Sequence, residues 1–381
     1  MMTDHAQKYY MLASGGTGGH VFPARALAQE LLRQGHRVAL VTDQRGERYE
    51  KMFPGVNILQ VSSASPSIGG LFGKVKAALK LMGGINQSLS LIKKDRPDAV
   101  VGFGGYPSMP PAFAAGLKGV PVFLHEQNAV LGRVNRLLAS KATKIATSYP
   151  VTDTADEEVR RKMIFTGNPV RDEIAAKSDA PYSAPDSDTS LKILVLGGSQ
   201  GATVLSDTVP AAITSLTDEL QARLHVTQQC RPEDLDRVRA AYEGTSVTVD
   251  LAAFFDNVPD LLADAHLVIA RSGASTMAEI AVIGRPAIYV PYKFAMDNHQ
   301  LRNAAASVDA GGAKLISQDD FTPEDLTPLL ESLLSDGATL TAMAKAAKTL
   351  AEPHAARKLA QLVTTGNVEE LKQEVTGKVM S

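Results

Sequence analysis

A single cysteine, Cys230, is all the thiol this chain has. One thiol excludes an intramolecular disulfide, a cysteine-rich zinc site and an iron–sulfur cluster held by the chain. Cys230 reads as a small buried hydrophobe, and such usage fits a reducing cytosol. Long apolar runs are also missing. The start, Met1 to Tyr10, carries Asp4, His5 and Lys8 and has no apolar core of signal-peptide length. No stretch approaches the roughly 20 uninterrupted apolar residues of a spanning helix. The expectation is a protein in the cytosol or on a cytosolic surface. Neither sign of charge dominates: 39 basic against 41 acidic residues give a formal charge of −2, leaving no global field to recruit nucleic acid. The histidines show no H-x-x-H or H-E-x-x-H spacing, so no metal is expected.

What is there is an ordinary globular balance, 44% hydrophobic and 21% charged, over a length that suggests two domains. Short apolar runs at 9–13, 38–41, 58–61, 99–103, 122–124 and 145–147 read as buried strands separated by helix-length segments. In the first of these segments Ala24, Leu27, Ala28 and Leu31 form one apolar stripe. The stretch 178–190, with Pro181, Pro185 and several Asp and Ser, reads as a linker or exposed loop. The pattern then restarts with strands at 192–196, 247–249, 267–270, 287–290 and 314–316. Such alternation implies an α/β fold of two doubly wound, Rossmann-like parallel-sheet domains, expected to face each other across a cleft.

Chemistry concentrates just after strands. Gly15-Gly16-Thr17-Gly18-Gly19-His20 ends the first strand and opens a helix, so backbone N–H groups and a positive dipole end should meet an anion, a phosphate or diphosphate. The dinucleotide fingerprint is absent: G-x-G-x-x-G from Gly16 would need glycine where Val21 stands. Asp43 mimics a dehydrogenase's ribose acid but reads as a loop acid. His20 lies at the helix start, where the dipole favours the neutral ring that can accept a proton. A second glycine loop, Gly102-Phe103-Gly104-Gly105-Tyr106-Pro107-Ser108, and the polar cluster His125-Glu126-Gln127-Asn128 also follow strands. Gly197-Gly198-Ser199-Gln200-Gly201-Ala202 repeats the first loop 182 residues on, counted from Gly15 to Gly197. In Arg271-Ser272-Gly273-Ala274-Ser275-Thr276-Met277-Ala278-Glu279, small residues leave room for a diphosphate over a helix start. Glu279 beside it needs its own task, and accepting hydrogen bonds from two ribose hydroxyls is the natural one. Asp297-Asn298-His299-Gln300 suits sugar hydroxyls.

Gly15–His20, Gly104-Gly105-Tyr106, His125-Glu126-Gln127-Asn128, Thr166-Gly167-Asn168-Pro169-Val170-Arg171, Gly197–Ala202 and Ser272–Glu279 occur in one order and together resemble the MurG family, the UDP-N-acetylglucosamine:lipid I glycosyltransferases of peptidoglycan synthesis. The resemblance runs from about residue 9 to the C-terminal region. It implies a GT-B fold, no cofactor or metal requirement, and inverting transfer of N-acetylglucosamine from its UDP donor to the C4 hydroxyl of undecaprenyl-diphosphate-linked N-acetylmuramoyl-pentapeptide. The donor would meet Arg171, Ser199, Gln200, the backbone near Phe255, Ala274, Ser275, Thr276, Met277, Ala278, Glu279 and Gln300. Thr17, Gly18, Gly19 and Asn128 would reach the donor sugar or the acceptor. Gly15, Gly16, Gly104, Gly105 and Tyr106 would hold the acceptor diphosphate. His20 is the first candidate base and Glu126 the second. The family often has Gln-Gln at His299-Gln300, which leaves the sugar contact with Gln300. Residues 1–171, with a C-terminal helix at about 355–381, are expected to bind acceptor and membrane, and 172–354 the UDP-sugar.

Between Glu50 and Asp95 there is no acid. Within that stretch Leu71, Phe72, Val75, Leu79 and Met82 recur at helical spacing among Lys74, Lys76 and Lys80. The pattern reads as an amphipathic helix that meets an anionic lipid surface, against a core-facing helix with a solvated lysine face. The expected location is therefore peripheral, on the cytoplasmic face of the inner membrane. A UDP-sugar 2-epimerase is the nearest rival activity; it would share the fold and donor site but need no lipid acceptor. An NAD-dependent dehydrogenase lacks its fingerprint here, and the intact site motifs argue against a catalytically silent membrane-binding module.

Overall fold

Strands made of Val, Ile, Leu and Ala without polar alternation require cover on both faces, the signature of parallel sheets. A computed structural model describes residues 6–16, 18–44, 46–65, 71–154, 156–186, 189–198 and 201–368. Thr17, Ser199, Gln200, the side chains of Leu71 and Phe72, and the tail beyond 368 lie outside the described residues. The chain forms two compact units. The N-terminal unit ends at Arg171 and is rejoined by the chain at His354; the C-terminal unit is Asp172–Pro353.

The N-terminal unit holds β1 (Tyr9–Ala13), β2 (Arg37–Thr42), β3 (Asn57–Gln60), β4 (Ala99–Gly102), β5 (Val122–Glu126), β6 (Lys144–Thr147) and β7 (Met163–Phe165). They form one parallel sheet in the order β3-β2-β1-β4-β5-β6-β7. One face packs Met11, Val100 and Leu124 against Ile92 of helix Leu71–Lys94 and Leu138 of helix Arg133–Leu138. The other packs Leu12 and Val101 against Leu27 and Leu31 of helix Gly18–Arg33 and Leu359 and Leu362 of helix Ala355–Thr365. The C-terminal unit holds β8 (Leu191–Leu196), β9 (Leu224–Gln229), β10 (Thr248–Ala252), β11 (Leu267–Ala270), β12 (Ala287–Tyr289) and β13 (Ala313–Leu315). Their order is β10-β9-β8-β11-β12-β13, all parallel.

In each sheet the strand order reverses beside its first strand, between β1 and β4 and between β8 and β11. A crevice outside the carboxyl ends of the strands is where doubly wound folds bind ligands. The expected glycine loops all follow these four strands.

Two strands depart from the sequence reading. The strands β7 and β9 were not anticipated: the first is three residues behind a basic run, and the second mixes His225, Thr227, Gln228 and Gln229 into its apolar pattern. Of the stretch read as a linker or exposed loop, residues 178–186 form neither helix nor strand and belong to the C-terminal unit. Arg285 fastens it by donating to the Pro181 carbonyl (3.0 Å), and Lys348 donates to that of Ser178.

Candidate active site

At the β1–β4 crossing the backbone turns from Ala13 into helix Gly18–Arg33, and Ser14 Oγ donates to the His20 carbonyl at 2.9 Å. The loop after β4 lies against the His20 imidazole. A Cβ on Gly104 (φ +83°) would sit 3.2 Å from His20 Cε1, and one on Gly105 (φ +70°) 3.4 Å from Cδ2. Left-handed backbone and the approach of the ring both demand glycine there. Gly15 is likewise a packing position, since its Cβ would meet Thr42 Oγ1 at 2.8 Å. Gly15 and Gly104 are therefore enclosed by protein, and their lack of a side chain is explained without a ligand. Gly16, Gly18, Gly19, Gly105 and Tyr106 are half-exposed around them.

The cluster 125–128 ends β5. Glu126 is buried, and its carboxylate accepts from Asn128 N (3.0 Å), Asn128 Nδ2 (3.2 Å), Gly132 N (2.8 Å) and Asn135 Nδ2 (2.8 Å). Four donors on two oxygens make it a clamp for the loop that follows β5. His125 is fully buried, and desolvation pushes its imidazole down from 6.5 to about 4. Gln127, also buried, lies between the two histidines, with Oε1 3.0 Å from His20 Nδ1 and Nε2 3.0 Å from His125 Nδ1. His20 itself is half-exposed. Arg171, at the end of this unit, holds its guanidinium over the Phe22 ring at 5.3 Å.

The C-terminal unit repeats the plan. After β8, a Cβ on Gly197 would meet Ala202 N at 2.6 Å. After β11, helix Ala274–Ile283 starts at Gly273 with no side-chain cap, leaving its first N–H groups for another acceptor. Ser272 Oγ and Ser275 Oγ are buried at this start and have no hydrogen-bond partner among the described residues. Arg271 is buried beside them, donating to the carbonyls of Val290 (3.0 Å) and Pro291 (3.1 Å), and burial lowers its guanidinium to about 10. It stays cationic at neutral pH, next to a helix start. Glu279 is buried on the same helix, with Met277; Thr276 and Ala278 are partly exposed. Phe255 is partly exposed beyond β10.

The loop 292–300 carries Asp297 (φ 54°) and Asn298 (φ 51°) in left-handed conformation, a departure typical of functional loops. Gln300 Oε1 closes it by accepting from Tyr292 N at 2.9 Å. His299 Nδ1 donates to the Met296 carbonyl at 2.8 Å, so that ring fastens the same loop.

The two units match separate halves of one family description: residues 10–147 the glycosyltransferase family 28 N-terminal domain, and residues 192–360 its C-terminal domain. The UDP-N-acetylglucosamine--N-acetylmuramyl-(pentapeptide) pyrophosphoryl-undecaprenol N-acetylglucosamine transferase of Paramagnetospirillum magneticum is 48% identical over 92% of this chain and 95% of its own. The Acinetobacter baumannii MurG crystal structure superposes with a TM-score of 0.75 and 31% identity, over 93% of this chain and 99% of that one. The chain belongs to the MurG family. Its GT-B architecture extends beyond the MurG family: a crystal structure described as a putative UDP-N-acetylglucosamine 2-epimerase from Listeria monocytogenes has a TM-score of 0.69 at 15% identity, covering 95% of this chain and 97% of its own. That likeness carries the fold alone. Among the described residues of this MurG-family chain, no group of three or more His, Cys, Asp and Glu is placed to hold a metal ion. Sequence reasoning passed over Arg271 and Gln127 as site residues. Both stood in motifs it had marked, but their partners come from Val290, Pro291, His20 and Phe103, which only the fold brings near.

Proposed function

We infer that this chain transfers N-acetylglucosamine from UDP-N-acetylglucosamine to the C4 hydroxyl of lipid-linked N-acetylmuramoyl-pentapeptide, inverting the anomeric carbon. Kinship with transferases of that name over nearly the whole chain supports the substrates. The observation that carries the donor half is the start of helix Ala274–Ile283, which has no side-chain cap, two buried hydroxyls without a partner among the described residues, and a buried carboxylate, Glu279, further along it. The N–H groups and hydroxyls there take the UDP diphosphate, together with the loop 197–202. Glu279 accepts from the ribose hydroxyls, the backbone near Phe255 meets uracil, and the Gln300 amide meets the sugar.

The half-exposed His20 takes the proton of the acceptor hydroxyl as that oxygen attacks the anomeric carbon. The sugar–phosphate bond breaks with its electron pair leaving on UDP, whose charge falls on the helix start and the nearby Arg271. The start of helix Gly18–Arg33, with Gly105, Tyr106 and Asn128, receives the acceptor's diphosphate and sugar. Arg171 and residues 17, 199 and 200 complete the substrate contacts in this reading.

A membrane-anchored acceptor asks for a membrane-facing surface. Helix Leu71–Lys94 exposes Val75 (53%), Leu79 (60%) and Met82 (57%) beside exposed Lys74, Lys76 and Lys80. That exposure argues against the core-facing alternative and for peripheral attachment to anionic lipid at the cytoplasmic face of the inner membrane. No helix among the described residues is long and apolar enough to cross a bilayer. Incubating the protein with labelled UDP-N-acetylglucosamine, alone and with a lipid-linked muramoyl acceptor, tests the activity. Label should enter the lipid phase only when acceptor is present; conversion of the nucleotide sugar without acceptor would point to epimerase chemistry instead.

A further inference from the structure

A histidine works as a base only through the ring nitrogen that has no proton. Which nitrogen that is depends on what the other one meets. The His20 ring meets Gln127, and the surroundings of Gln127 leave its amide one orientation. Gln127 Nε2 lies 3.0 Å from the Phe103 carbonyl and 3.2 Å from that of His125. Turning the amide over would press its oxygen against two carbonyl oxygens in a buried site, which costs the unmade bonds and adds repulsion. Gln127 Oε1 must therefore face His20 Nδ1, and an amide oxygen can only accept. His20 Nδ1 carries the proton.

A second histidine closes the chain. His125 Nε2 lies 3.3 Å from the Gly167 carbonyl, which also accepts from Thr166 Oγ1 at 3.1 Å. A carbonyl accepts, so His125 Nε2 is protonated. The neutral ring, favoured by complete burial, then offers its Nδ1 lone pair to Gln127 Nε2 at 3.0 Å. Read from the inside outward, Gly167, His125, Gln127 and His20 form one directional series of donors and acceptors with a single consistent proton assignment.

We propose that Gln127, backed by His125, is a positioning residue that holds His20 in its Nδ1–H tautomer and so leaves the lone pair on Nε2 free to accept a proton. This rests on the reading of His20 as the base and names the device that prepares it. Without Gln127 the ring would be free to take the Nε2–H form, in which Nε2 donates and cannot accept. The series also assigns a task to two buried polar residues, and to the carbonyl of a Thr166-Gly167-Asn168 motif that sequence reading left without one.

The test is nitrogen NMR on the full-length protein with 15N-labelled histidine, His20 being assigned by comparison with His20→Ala. The neutral ring should show a pyrrole-type signal at Nδ1 and a pyridine-type signal at Nε2. In Gln127→Met, which keeps length and removes both amide functions, His20 should shift toward the other tautomer. Its kcat should fall about tenfold or more, the lower range of base catalysis being about 10²-fold for complete loss, while KM for the UDP-sugar stays within twofold. An Nε2–H tautomer at His20 in the unaltered protein overturns the proposal, whether or not the variant folds. An unchanged tautomer in folded Gln127→Met overturns it too. Loss of the base assignment looks different: His20→Ala would then retain turnover whatever the tautomer.

Discussion

Glu126 receives four N–H donors on its two oxygens, so its replacement should be felt in stability before chemistry. Glu126→Gln turns one acceptor into a donor facing donors, a loss of about 1–3 kcal/mol. Thermal melting should fall, while turnover per folded molecule stays within about tenfold of the parent. His20→Ala should do the reverse, cutting turnover by about 10²–10⁴-fold with donor affinity nearly unchanged. Glu279→Gln should weaken UDP binding by about 10- to 150-fold, the equivalent of about 1.5–3 kcal/mol for a bond to a charged acceptor, as read by titration calorimetry. His125 adds a pH signature. Its folded-state value of about 4 lies below the ordinary 6.5, so the unfolded chain takes up a proton first as pH falls. The stability it contributes is complete above about pH 6.5 and is lost toward pH 4. Between about pH 6.5 and 5 the loss is about 2 kcal/mol, and His125→Asn should flatten that slope in thermal melts. At this scale the sequence shows that residues 125–128 matter, because four polar side chains end a buried strand. It cannot show how they divide the work, since Asn135, Phe103 and Gly167 enter only through the fold.

Glycine-rich turns after β1, β4 and β8, and the small-residue run after β11, are visible in the sequence because apolar strands stop abruptly at them. Their spacing alone, however, does not separate ligand from packing: Gly15 and Gly197 are glycine because neighbouring atoms fill the space. Helix Leu71–Lys94 shows the same division. Its basic, amphipathic start is legible, whereas its anchoring is not. A Cβ on Gly84 would come within 2.0 Å of the Ser62 carbonyl oxygen, so the helix is pressed onto the unit at its middle while Val75, Leu79 and Met82 remain exposed. Each lysine near an anionic surface contributes about 1 kcal/mol. Replacing Lys74, Lys76 and Lys80 by Glu should therefore abolish cosedimentation with anionic vesicles at low salt and spare turnover of a short-chain acceptor. Equal vesicle binding by that variant would remove this helix from the membrane role.

Each unit has its own sheet and its own core, and the chain visits the N-terminal one twice. Leu359, Leu362 and Val363 of the last described helix are buried beside Leu12 and Leu27. Burying each such side chain contributes about 1.5–3 kcal/mol, a large part of the roughly 5–15 kcal/mol that separates folded from unfolded domains. A chain ending at Pro353 should thus lose the N-terminal unit's melting transition while UDP binding by the C-terminal unit persists. The two-unit plan is legible because glycine loop and strand pattern recur at a fixed distance. The strand order, and with it the location of both crevices, is set by crossovers that no single motif displays. The measurement that bears most directly on the whole account is the structure of the product formed from UDP-N-acetylglucosamine and a short-chain lipid-linked muramoyl-pentapeptide. Mass spectrometry and proton NMR should find one disaccharide per UDP released, joined at C4 of the muramoyl unit with inverted, β anomeric configuration. UDP released without a disaccharide, or a linkage of retained configuration, would contradict it.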